Sequence, residues 1–263
     1  MLDNIVSLVL HWNASMVRFP QMQKIRRFVQ YGFIGLLVAI FLYGVLLARP
    51  DFLYQYQYQS QNVHIYSDQA LPSNVRELCD KVLERIKKSS YYQSQDHYKV
   101  FISNEDWRWR LVANLRPNAG GFNVELFPNN SFIRPSVIAE NRIIPPRAVM
   151  ADAAERDLAY FISHEITHGM MVNHNGLITS IRKTHLWIKE GYADLIGKHA
   201  FDYDANLAQL RSKENRLQVS SGLYVRYHLA LLYLLEKKRM SLAQIIDANP
   251  TLEDVIDEML MKP

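Results

Sequence analysis

Phe28–Ala48 (FVQYGFIGLLVAIFLYGVLLA) carries no charged residue over about the length a helix needs to cross a bilayer. The run fixes the fate of everything that follows it, because it is either a retained anchor or a signal peptide removed in the mature protein. It is long and starts late, and Ala48-Arg49-Pro50 follows it where a signal peptide would show a small-x-small site. A single retained transmembrane helix is therefore expected over 28–48. Residues 1–27 mix apolar Ile5, Val6, Leu8, Val9 and Leu10 with basic Arg18, Lys24, Arg26 and Arg27, and only Arg49 follows the run directly. That asymmetry keeps the N-terminus in the cytoplasm and sends the remainder across the membrane. In a bacterium this means the inner membrane with the main domain in the periplasm. Residues 49–61, rich in Tyr and Gln, read as a tether.

What remains, 62–263, is one domain of ordinary size, and 49% apolar residues supply ample core. The formal charge of +4 makes no demand for nucleic acid. Cys79 is the single cysteine, so no internal disulfide forms. It falls among Val75, Leu78, Val82 and Ile86 at helical spacing and reads as a small core residue. Val63–Tyr66 alternates as a strand, Ser73–Lys87 reads as an amphipathic helix, and Tyr98–Ile102 reads as a second strand. Trp107, Trp109 and Leu111 are expected in the core, and Asn118–Gly121 forms a turn. Strands are expected within Phe122–Phe127 and Ser136–Ile144, the first ended by Pro128-Asn-Asn130 and the second by Pro145-Pro146. Beyond Glu190 the chain turns helical, broken briefly near Ser220–Gly222. It includes a largely buried Leu223–Glu236, then Ser241–Ile246 and a Thr251-capped Thr251–Leu260.

The chemistry concentrates in Phe161-Ile-Ser-His-Glu-Ile-Thr-His-Gly169, which contains His164, Glu165 and His168 as H-E-x-x-H. Residues four apart share a helix face, so both imidazoles can reach one ion, with Glu165 beside it as a base rather than a ligand. Asp152 with Glu155 offers a capping-box start, and Leu158, Ile162, Ile166 and Met170 form the apolar stripe. Two residues compete as third ligand. Glu190, in Trp187-Ile-Lys-Glu-Gly-Tyr-Ala-Asp194, lies 22 residues after His168, and its E-x-x-x-D spacing puts Asp194 on the same face. Asp194 would then hold the free ring nitrogen of a ligand histidine. His174 lies six residues after His168, but Met171 stands where a chain leaving the helix would need glycine. Glu190 is the favoured ligand. Two histidines and one carboxylate leave a fourth position for water, the arrangement of a catalytic zinc site.

H-E-x-x-H followed by W-x-x-E-G-x-A-D resembles the gluzincin metallopeptidases, the thermolysin-like and aminopeptidase-N-like enzymes, over roughly residues 150–246. Glu190 to Gly197 is also similar to the integral-membrane zinc endopeptidases of the prenyl-protein and heat-shock type, which have several membrane helices. The resemblance implies a zincin-like α+β fold, with a small N-terminal mixed sheet, an active-site helix and a helical C-terminal part. It implies a Zn²⁺ cofactor on His164, His168 and Glu190, Glu165 as general base, and hydrolysis of peptide bonds in extracytoplasmic proteins or peptides. It also implies a substrate strand paired to a sheet edge. An oxyanion donor would come from Tyr224, Tyr227, His228 or His185. An aminopeptidase or cell-wall amidase on the same site would need an acidic anchor, for which Glu125 and Glu140 are available. A catalytically silent, zinc-stabilised scaffold for a membrane partner is the reading from another class, and it has no need of Glu165.

Overall fold

The computed structural model describes residues 20–114, 116–146 and 156–261. The chain divides into two compact units, Met1–Arg49 and Pro50–Pro263. Within the first, α1 (Pro20–Ala48) is one continuous helix. Its Lys24–Ala48 portion is long and apolar enough to cross a membrane, and the same is true of a signal sequence.

The second unit is α+β. Its sheet holds five strands, β1 (Tyr56–Ser60), β2 (Val63–Ser67), β3 (Tyr98–Ile102), β4 (Gly121–Asn123) and β5 (Asn130–Ile133), in the order β1-β2-β3-β5-β4. The three central strands run parallel, and each edge strand is antiparallel to its neighbour. The parallel pairs are joined by helical crossovers, α2 (Val75–Ile86) and α3 (Asp106–Val112). Strand β1 corrects the tether reading of 56–60. Its Tyr-Gln-Tyr-Gln repeat has the two-residue period of a strand, and a polar strand is tolerated at a sheet edge.

The two sheet faces are built differently. Val63, Ile65, Val100, Ile102 and Ile133 pack against helices in the main core. The other face carries Tyr66, Phe101, Phe132 and Phe122 in register across four strands. Their ring centroids step by 4.9, 5.3 and 4.9 Å, and Trp109 of α3 caps the row at 5.9 Å from Phe122. Trp109 is buried as expected, whereas Trp107 and Leu111 point outward because α3 has a single inner face. Phe122–Phe127 yields only the three-residue β4. Ser136–Ile144 folds as a small hairpin of β6 (Ser136–Val137) and β7 (Arg142–Ile143). Cys79 is fully buried on α2, which pushes its thiol up to about 12.

The remaining helices are α4 (Leu158–Asn175), α5 (Leu186–Gly197), α6 (Tyr203–Arg211), α7 (Val225–Leu232), α8 (Leu242–Ala248) and α9 (Leu252–Met261). Alpha7 continues as a π turn to Lys237, so the apolar stretch 223–236 is helical in two pieces. Ser241 with Gln244 makes a full capping box for α8, and Thr251 Oγ1 accepts from the Asp254 amide at the start of α9.

Candidate metal centre

Alpha4 owes its position to its N-terminus. The Asp157 carboxylate accepts from the Tyr160 amide, and Asn141 accepts from Leu158 N and Ala159 N, each within 2.8 Å. Arg85 of α2 then grips Asp157 with two N–H donors at 2.6 and 2.8 Å. The capping box of Asp152 and Glu155 lies outside the described residues. The observed cap at Asp157 depends on an arginine 72 residues away, which local spacing does not reveal.

From that start the helix runs almost wholly buried to Val172. Its approach to the sheet is possible because Gly169 lacks a side chain: a Cβ there would stand 1.9 Å from the Pro128 carbonyl oxygen. The edge strand β4 lies directly beside the helix. A Cβ on Gly121 would meet Glu165 Cγ at 2.9 Å. The expected sheet edge at the site is therefore β4.

Three ligand atoms converge between α4 and α5. His164 Nε2 lies 3.1 Å from Glu190 Oε2, His168 Nε2 lies 3.2 Å from His164 Nε2, and His168 Nε2 lies 3.7 Å from Glu190 Oε2. This is the one such His, Cys, Asp and Glu group among the described residues. Ligand atoms about 2.0–2.1 Å from a tetrahedral ion stand about 3.3–3.4 Å apart, so all three separations bracket that value. The donor set, two imidazole nitrogens and one carboxylate oxygen, suits zinc.

Electrostatics fit the same arrangement. Burial alone would raise the Glu190 pKa, but the neighbouring His168 and His164, by charge and hydrogen bonds, hold it well below the carboxylate range. Glu165 goes the other way. Its burial, helped by the negative Glu190, raises its pKa against the opposing pull of His164 and His168. Two carboxylates at one site are thus pushed apart, one fixed as an anion and one more basic than usual.

His174 is not part of the group. Alpha4 continues unbroken through Met171, so six residues turn the side chain about 240° away from His168. There it is exposed and stacks on Tyr91 at 3.9 Å. Asp194 also differs from expectation. It is fully buried and binds no ligand histidine: Oδ1 accepts from Tyr160 Oη at 2.5 Å, and Oδ2 accepts from His228 Nδ1 at 2.9 Å and Lys198 Nζ at 3.1 Å. His164 Nδ1 remains buried without a hydrogen-bond partner.

Among the expected oxyanion donors, Tyr224 lies at the group. Its ring stacks on His164 at 5.6 Å, and burial together with the charges of Glu190 and Glu165 raises its hydroxyl pKa. Its backbone is left-handed, φ 57°, a strained conformation for an aromatic residue. Tyr227 stacks on Tyr224 at 5.9 Å. His228 is committed to Asp194 and stacks on Phe201, and His185 is an exposed residue at the N-terminus of α5. Of the two acidic anchors, Glu125 pairs with Lys189 at 2.8 Å and Glu140 pairs with Arg142 on the surface. Sequence reading missed Arg156, which donates to the Gly222 carbonyl at 3.0 Å and lies over both Tyr160 and Tyr224. It missed Tyr160 as well. The i,i+4 pair of Asp194 and Lys198 was legible in the sequence.

No family model matches the chain, and no curated protein matches it.

Proposed function

We infer that this protein is a membrane-anchored zinc metallopeptidase. The observation that carries the reading is the convergence of His164 Nε2, His168 Nε2 and Glu190 Oε2 at the mutual spacing of tetrahedral ligands, with buried Glu165 on the same helix. His164, His168 and Glu190 would hold the zinc. When bound, zinc supplies a Lewis acid that polarises a carbonyl and acidifies water.

Every other part of the chemistry belongs to the chain. Glu165, with its affinity for protons raised by burial, takes a proton from the attacking water and returns it to the leaving amine. Tyr224, beside His164, donates to the developing oxyanion. The edge strand β4, adjacent to Glu165, offers unpaired backbone groups to an extended substrate. Such a strand-like grip needs no free terminus, and Glu125 is already paired with Lys189, which favours an endopeptidase over an aminopeptidase. The sequence resemblance to gluzincins agrees with this reading, under which the α+β unit is zincin-like. Alpha1 is the retained anchor, with the N-terminus cytoplasmic and the sheet-bearing unit extracytoplasmic.

The test pairs two variants of the full chain. Glu165→Gln is expected to keep about one zinc per chain and lose about 10²–10⁴-fold of peptide hydrolysis. Glu190→Ala is expected to lose both. A Glu165→Gln protein that hydrolyses peptide at the unaltered rate would overturn Glu165 as the base, and an unaltered protein that holds zinc but hydrolyses no peptide would overturn the peptidase reading and favour the scaffold.

A further inference from the structure

The connection between the helices that carry His164, His168 and Glu190 combines exposed aliphatic and basic side chains. From Gly176 to Lys189 (GLITSIRKTHLWIK) there is no acidic residue. Within it Ile178, Ile181 and Leu186 are 69, 52 and 60% exposed, and Arg182, Lys183 and His185 are exposed between them. The combination matches an anionic phospholipid interface, where the cations meet headgroups and the aliphatic side chains pass below them.

The fold puts this segment at the end of the unit where the chain enters it. Asp51, one residue into the unit, pairs with Lys99 at 2.9 Å. The Lys99 amide donates to the Asn129 carbonyl at 2.8 Å, and Asn173 Nδ2 donates to Asn129 Oδ1 at 2.8 Å. Three successive contacts therefore lead from the entry point to the last turn of α4, five residues before Ile178. Only Arg49 lies between α1 and Pro50 in the chain.

We propose that Ile178–Leu186 docks on the anionic phospholipid surface of the membrane that α1 anchors. The proposal rests on the anchor reading of α1. Leu186 lies one turn before Glu190 on the same face of α5, so docking sets the metal group at headgroup level. It selects substrates whose scissile segment lies next to the membrane.

The test uses the full chain in lipid nanodiscs, one chain per disc, with a fluorophore on Ile181→Cys or, as control, on the exposed Asp80→Cys. Cys79 is silent because it is buried with its thiol pushed up to about 12. With phosphatidylglycerol in the disc, a headgroup-level lipid quencher is expected to act about threefold more at 181 than at 80, and Arg182→Glu with Lys183→Glu is expected to remove the difference. Equal quenching at the two sites overturns the proposal. Quenching at 181 that is the same in phosphatidylcholine discs overturns the charge recognition. A change at 181 that arises only with two chains per disc marks a contact between copies and also overturns it. Zinc content and peptide hydrolysis, measured on the same variants in detergent, report on the peptidase reading separately.

Discussion

Glu190 and Asp194 stand one turn apart on α5, both acidic and both largely buried, yet the fold treats them in opposite ways. Asp194 is saturated by Tyr160, His228 and Lys198. Glu190 instead faces the ring nitrogens of His164 and His168, in the one His, Cys, Asp and Glu group among the described residues close enough to hold a metal ion. One carboxylate holds helices together, and in the proposed function the other holds a place for an ion. A buried anion is affordable in either way, by fixed donors or by a metal, and the choice separates scaffold from chemistry.

Several experiments can break or sharpen that contrast. The largest effect is expected from Asp194→Ala, which strands Lys198 and His228 in the core and costs about 3–5 kcal/mol of folding stability by denaturant titration. The contrast breaks if this variant melts like the unaltered protein. Next, zinc at about 100 times its Kd should stabilise the unaltered protein by about 2.7 kcal/mol and leave Glu190→Ala almost unmoved. Removing one hydroxyl in Tyr160→Phe should cost about 1.5–3 kcal/mol, because the lost bond is to a charged group, while zinc content stays the same. Zinc loss in that variant would join the two sites into one.

The smallest effect is in pH dependence. Burial holds His228 below the usual 6.5 despite its bond to Asp194. The unfolded chain then binds more protons than the folded one as pH falls below 6.5, so stability falls with it. Asp194, held far below its ordinary 3.8 once donors outweigh its burial, adds a further loss only beneath that value. His228→Gln should flatten the slope between pH 7 and about 5 in calorimetry and leave the loss below pH 4.

How legible all this was depends on the range of the interactions. The pairing of His164 with His168 was readable because H-E-x-x-H puts both imidazoles on one helix face, and the structure brings Glu190 to the same place. Strand β3 was read to the residue from its own short apolar run. The start of α4 was misplaced because Arg85 and Asn141, distant in sequence, decide it. Two of the three Asp194 partners, Tyr160 and His228, arrive from α4 and α7, and the period within Tyr56–Ser60 was outweighed by its polar composition. His174 illustrates the converse. Its spacing suited a ligand, and only the continuation of the helix past Met171 removes it.

Gly191, next to Glu190, bears on how the site can evolve. A Cβ there would stand 2.7 Å from the Tyr227 carbonyl oxygen, so α5 meets the chain at Tyr227 main chain to main chain. Side chains in a core can trade volume with one another, but two backbones in contact have nothing to trade. The spacing of the Glu190 carboxylate from Tyr224 and Tyr227 is therefore set by a joint with no adjustable part. If the chain is the metallopeptidase proposed above, variation in substrate preference is expected at the rim, at β4 and the 177–186 connection, while the frame around Glu190 stays as it is.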